Sequence, residues 1–134
     1  MKKKAKTIIA VLVITFIVAL IGGVLAYNNI QGNLNKLSYM KMSTVDISTI
    51  SNGTYSGSYK VFPISVKLNV TINNRKITKN DLIKHVNGQG DPAEKILNKV
   101  IEVQNLQVDS ISGATYSSKV ILKAVENALS SASK

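Results

Sequence analysis

Twenty residues from Thr7 to Ala26, TIIAVLVITFIVALIGGVLA, carry no charge. At about 1.5 Å of rise per residue such a run spans about 30 Å, the hydrocarbon thickness of a bilayer, and it predicts a membrane-crossing helix. Ile30, Leu34 and Leu37 keep helical spacing beyond it, so the helix is expected to continue for a few turns. Ser43-Thr44-Val45-Asp46-Ile47-Ser48-Thr49 then brings in residues that break helices and favour extended chain.

Past Gly53 the period changes. Thr54 to Lys60 alternates tyrosines with small polar residues and reads as a strand. From Ile64 to Ile72 the alternation is strict: Ile64, Val66, Leu68, Val70 and Ile72 on one face, Ser65, Lys67, Asn69 and Thr71 on the other. Asn73-Asn74-Arg75 is a hairpin turn, because asparagine tolerates positive φ. Lys76 to Val86 returns as a third strand, with Ile77, Leu82 and Ile83 irregularly placed, which predicts a bulge or break.

Asn87-Gly88-Gln89-Gly90 is a flexible loop before Asp91-Pro92-Ala93-Glu94, a helix start with Asp91 as N-cap, Pro92 first and Glu94 third. Ile96, Leu97, Val100 and Ile101 form one apolar stripe. After a link from Asn105 to Ile111, a last helix repeats the stripe with Val120, Ile121, Ala124, Val125, Ala128 and Leu129. Lys119, Lys123, Glu126 and Asn127 are expected to face water.

Two one-sided helices need a surface to cover. The expected fold is α+β: a three-stranded or larger antiparallel sheet with helices packed on one face, preceded by one N-terminal transmembrane helix. The division expected is a basic cytoplasmic tail (1–6), a transmembrane signal anchor (7–27), an extracytoplasmic tether (28–52) and a globular domain (53–134).

Charge orients the anchor. The formal net charge is +10, but four of the 17 basic residues, Lys2, Lys3, Lys4 and Lys6, precede the apolar run. By the positive-inside rule the N-terminus is cytoplasmic, giving a single-pass cell-membrane protein with its domain outside. A cleavable signal peptide competes, since Val24-Leu25-Ala26 ends in small residues. Signal-peptide apolar cores usually run about 7–15 residues, and the longer run here favours a retained anchor. The domain is exported in either case. The other 13 basic residues are scattered among seven Asp and Glu, so no basic stripe forms and no nucleic-acid partner is expected.

The chain has no Cys, no Trp and one His. Thiolate chemistry and disulfides are therefore excluded, and a lone histidine is too few for a histidine metal centre. No metal site and no catalytic constellation are expected.

The candidate chemistry sits at Asp109-Ser110-Ile111-Ser112-Gly113-Ala114-Thr115-Tyr116-Ser117-Ser118. One account is purely structural: Ser112 or Thr115 caps the last helix and Gly113 relieves a tight turn. The other uses the helix start as an anion site, with unpaired amides from about Tyr116 to Ser118 and Lys119 one turn inside. Gly113 and Ala114 keep bulk away, and a phosphoester on Thr115 would place its oxygens among those donors.

The stretch from Gly53 to Leu129 resembles the small FMN-binding domain of membrane electron-transfer subunits and surface flavoproteins. Gly53-Thr54-Tyr55-Ser56-Gly57 is similar to its opening strand and Asn73 to Thr78 to its hairpin. Asp109 to Thr115 matches its flavinylation motif: Asp, two variable residues, Ser or Thr, Gly, Ala, Thr.

The resemblance implies that Thr115 carries FMN through its phosphate, attached by a separate magnesium-dependent flavin transferase from FAD. It implies an electron carrier between a membrane donor and an external acceptor, not an enzyme in its own right. It sets His85, Gly88 and Gly90 where that family lines the flavin. Residue by residue, His85 fits a structural role as well, and Tyr116 fits either stacking on the flavin or a core or rim position. Asp109 either hydrogen-bonds the Ser110–Ala114 turn or is read by the transferase. Two other functions compete: a non-redox surface module binding anionic cell-envelope polymers or a membrane partner, and a non-covalent FMN binder.

Overall fold

The computed structural model describes residues 2–88 and 90–132. Gln89 of the expected loop, and the last two residues of the expected 53–134 domain, lie outside the described residues. The chain divides into two compact units, Met1–Asn33 and Leu34–Lys134.

Helix α1 (Lys2–Ser38) holds the first unit and ends in the second. From Lys3 to Ser38 it is long and apolar enough to cross a membrane. Its large side chains, among them Ile8, Leu12 and Phe16, are exposed. The polar Thr15 hydroxyl donates to the Val11 carbonyl, so the helix satisfies it internally.

The second unit is built on strands β1 (Gly53–Val61), β2 (Ile64–Asn73) and β3 (Lys76–Val86), antiparallel in that order. The alternation read along β2 is its burial pattern, with Ile64, Val66, Leu68, Val70 and Ile72 all buried. Asn74 and Arg75 make the β2–β3 turn with φ of 51° and 59°, the left-handed pair that matches strand twist. The irregularity expected in β3 is two register shifts, one between Lys67 and Leu68 and one between Thr71 and Ile72. They leave Ile83 and Thr78 outside the pairing, which rephases the strand so that Ile77 and Leu82 still face inward.

Helix α2 (Ile96–Val103) covers β3, and α3 (Thr115–Ala132) lies across β1 and β2. Both cover the same apolar face, so the α+β expectation holds. The close approach of α3 depends on Gly57 in β1: a Cβ there would stand 2.0 Å from the Ala124 carbonyl oxygen and 2.6 Å from the Ala128 nitrogen. At the C-terminus of α2, Gln104 takes a left-handed conformation (φ 57°) and its side chain grips β3, accepting from Ile77 N–H and donating to the Ile77 carbonyl.

Three expectations need correction. The stretch 28–52 is not simply a tether, because its part from Leu34 belongs to the second unit and Leu37, Ile47 and Ile50 are buried in the core. Ile47–Thr49 is a 3-10 turn rather than extended chain, capped by the Asp46 carboxylate. Asp91 does not cap a helix: Asp91–Lys95 is itself a 3-10 turn that runs into α2, and the Asp91 carboxylate accepts from Asn87 Nδ2 instead.

The polar side of α3 is also not simply solvent-facing. Lys119 Nζ donates to the carbonyls of Ser38 (3.1 Å) and Met40 (2.8 Å), capping the end of α1. Glu126 is buried, pairs with Lys123 and accepts from Ser43 N–H at 3.0 Å. Asn127 donates to the Ser58 carbonyl. These contacts fasten the segment after α1 to the last helix.

Gly57→Ala should destabilise the second unit by about 1–3 kcal/mol, the usual cost of overpacking, since backbone atoms cannot swing aside; chemical denaturation measures it. For Glu126, burial alone would raise the carboxyl pKa, but the Lys123 ammonium and the Ser43 N–H outweigh it and hold the pKa below the ordinary carboxylate value. Its contribution is therefore complete above the ordinary carboxylate pKa and lost as pH falls through the lowered one. Denaturation midpoints measured against pH should show Glu126→Gln less stable at neutral pH and with a shallower acid slope than the parent.

Candidate functional site

The start of α3 is shaped by two residues that lock the chain before it. Gly113 sits at φ +76°, a left-handed turn position that a side chain would strain. Ser118 is fully buried, and its Oγ accepts from Ile111 N–H at 3.0 Å, reaching back from the helix to the motif. Ala114 N–H donates to the Ile111 carbonyl, and the Ala114 carbonyl accepts from Ser118 N–H at 2.9 Å, the first bond of the helix.

That last bond moves the expected anion donors by one residue. Ser118 N–H is spent on Ala114, so the unpaired amides of the first turn are those of Thr115, Tyr116 and Ser117. It also decides the capping question. Thr115 is the first helical residue, it is exposed, and its hydroxyl makes no hydrogen bond among the described residues; Ser112 is exposed in the turn and caps nothing among them either.

A pocket of about 180 Å³ opens at this turn. Gly113, Ala114, Thr115, Tyr116 and Ser117 form one wall, Gly88 and Gly90 a second, and Pro63 and Ile64 at the β1–β2 hairpin the third. The loop wall is pressed onto the helix, since a Cβ on Gly90 would stand 2.0 Å from Ser117 Oγ. Tyr116 lies on the rim, 37% exposed. Among the described residues the lining contains no charged side chain. Lys119, expected to help hold an anion here, is committed to the carbonyls of Ser38 and Met40.

Seven of the expected site residues thus line one pocket: Thr115, Gly113, Ala114, Tyr116, Ser117, Gly88 and Gly90. Ser112 and Ser118 do not, the first exposed and the second buried behind the turn. Asp109 is exposed and its carboxylate bonds no part of the Ser110–Ala114 turn. His85 stands away from the lining; its ring is 2% exposed, with Nδ1 at 2.9 Å from Glu94 Oε1 and Nε2 buried without a partner. Sequence reasoning missed Pro63 and Ile64, whose signal is only that a proline marks a hairpin end, and the buried role of Ser118.

An FMN phosphate fits what is present. Unpaired amides, small residues and an exposed, unengaged hydroxyl converge on one open pocket. The model of the FMN-binding domain family matches residues 63–130, from the β1–β2 turn through nearly all of α3. No curated protein matches the chain.

Ser118→Ala would leave the Ile111 amide without its partner and should cost about 1–3 kcal/mol. Denaturation measures the loss, and faster hydrogen exchange at the Ile111 amide identifies its source.

Proposed function

The chain belongs to the FMN-binding domain family, and from that premise we propose that it is a membrane-anchored extracytoplasmic electron carrier with FMN esterified to Thr115. The observation that carries the reading is the Thr115 hydroxyl itself: exposed, free of capping duty, and beside three unpaired amides. Bound FMN would supply one- and two-electron transfer.

Energetics favour the ester over loose binding. A helix N-terminus contributes about 0.3–2 kcal/mol toward an anion, and no cationic side chain lines this pocket to add to it. Micromolar retention needs about 8 kcal/mol. The pocket is also smaller than the roughly 300–1,000 Å³ of sites that enclose a whole ligand, so it would seat part of the FMN and leave the rest at the surface. A covalent link keeps the group in place there, and partial exposure suits exchange of electrons with partners.

In the attachment step Thr115 Oγ gives up its proton and bonds the phosphorus on the FMN side of FAD, while the bond to the AMP half breaks and AMP leaves. A magnesium-dependent flavin transferase is the partner for this step. Gly88 and Gly113, with open space where a Cβ would stand, keep the approach open, and Tyr116 on the rim flanks it. Asp109, exposed and unbonded, is left as a mark for the transferase. The unpartnered Nε2 of His85 is available to a flavin atom that reaches beneath the loop. The membrane donor would pass electrons to this carrier and an external acceptor would take them, with α1 retained as anchor and the basic residues before its apolar run inside.

One observation supports a different reading. Lys60, Lys67 and Lys84 are exposed on the sheet face away from the helices, Lys67 opposite Lys84, and none is in an ion pair among the described residues. That face suits an anionic envelope polymer.

Intact-mass spectrometry after co-expression with a flavin transferase, with the domain exported, separates the readings. The expected result is one FMN adduct per chain, absent in Thr115→Ala. Flavin that leaves on denaturation would support non-covalent binding, and a folded chain without flavin would support the polymer-binding module.

A further inference from the structure

We propose that His85, Asp91 and Glu94 form a binding site for one divalent transition-metal ion. A single histidine excludes an all-histidine centre but not a mixed one. One ligand atom from each of the three lies within 4.8 Å of the other two. The elements that bring them together are unlike in rigidity. His85 projects from β3 on the inward face, opposite Val66, with its ring 2% exposed. Asp91 and Glu94 stand three residues apart on one 3-10 turn, and both are exposed. A fixed nitrogen therefore faces two carboxylates that are free to adjust.

Charge argues for a cation. Among the described residues neither carboxylate pairs with a lysine or arginine. Asp91 has only the neutral Asn87 amide at 3.0 Å, and Glu94 only His85 Nδ1 at 2.9 Å. Two carboxylates this close repel each other unless a positive charge stands between them.

The donor set selects the class of ion. One imidazole and two carboxylates, with no thiolate, suit zinc or a similar borderline ion; calcium would need about 6–8 oxygens. Around a tetrahedral ion with bonds of about 2.0–2.2 Å, ligand atoms stand roughly 3.4 Å apart. Glu94 Oε1, at 2.9 Å from Nδ1, must then open by about half an ångström, and separations as wide as 4.8 Å must close by about 1.4 Å, which the exposure of the carboxylates permits. The ion takes the place of the proton between Nδ1 and Glu94, and the neutral imidazole carries its proton on Nε2. Three protein ligands leave a position for water.

Such an ion would brace the Thr115 pocket. Asn87 bridges the two sites, donating from Nδ2 to Asp91 and accepting from Gly90 N–H at 2.6 Å. The metal site itself needs no flavin, so its test stands apart from that of the flavin reading.

The tag-free full chain in detergent, stripped with chelator, is titrated with zinc by calorimetry. One ion per chain is expected, with binding weakened by at least about tenfold in Asp91→Asn and in Glu94→Gln. Asp81→Asn, which removes a carboxylate paired with Lys79, should bind as the parent does. His85 is the only histidine in the sequence, so isotope-labelled histidine gives one imidazole by NMR, and zinc should shift its Nδ1 signal. The proposal is overturned if millimolar zinc does not bind, if the His85 signal ignores bound zinc, or if the Asp91→Asn/Glu94→Gln double variant, folded by circular dichroism, keeps the parent affinity.

Discussion

The seating of α3 on the sheet is the constraint from which the rest of the second unit follows. At Gly57 the helix backbone comes so near β1 that no Cβ fits between them. At Gly90 the loop after β3 is pressed just as closely against Ser117 in the first turn. Two glycine contacts, one mid-helix against backbone and one at its start against the Ser117 side chain, set the height of α3 and the place of its first turn. Buried Val120, Ile121, Ala124, Val125, Ala128 and Leu129 then supply the apolar area that makes the seating favourable.

A helix held in this way distributes its faces among three tasks. Its apolar stripe covers β1 and β2. Its first turn lines the pocket with residues whose amides are unpaired among the described residues. Its remaining polar side chains receive the segment that follows α1, through Lys119 and Glu126. The tasks compete, and the competition has a chemical result: with Lys119 drawn to the carbonyls of Ser38 and Met40, the pocket is left neutral. An anion there is met by backbone dipoles alone, which favour it weakly.

Local patterns made the frame legible in the sequence. Strict alternation in β2, the Asn74–Arg75 turn and the stripe of α3 each follow from neighbours a few residues apart, and the bulges in β3 announced themselves as broken alternation. At the candidate site, residue type singled out the motif threonine and its small neighbours, the family resemblance added the two loop glycines, and folding brings all of them to one pocket. What stayed hidden depends on partners distant in the chain. Lys119 and Glu126 lie on the outward side of a helical projection, and only folding shows that residues about eighty positions earlier come to meet them. Asp91 and Glu94 have the spacing of a helix cap, yet Asn87 and His85 from the other side of the loop claim their carboxylates. No periodicity encodes those meetings.

The one-residue offset at the head of α3 separates a capping threonine from one whose hydroxyl is left uncommitted. An N-cap hydroxyl accepts from an amide two or three residues on, which occupies its oxygen and turns it toward the helix. Because the Ala114 carbonyl accepts the first helical bond, Thr115 stands one place later, at the first helical position, where its hydroxyl has no such duty. Gly113 makes that offset accessible by taking the left-handed turn, and Ser118 holds it by bonding Ile111 from behind. Both residues shape the chemistry of Thr115 from outside the contact with any ligand. The small-residue motif therefore encodes the placement of one free oxygen as much as the shape of a pocket.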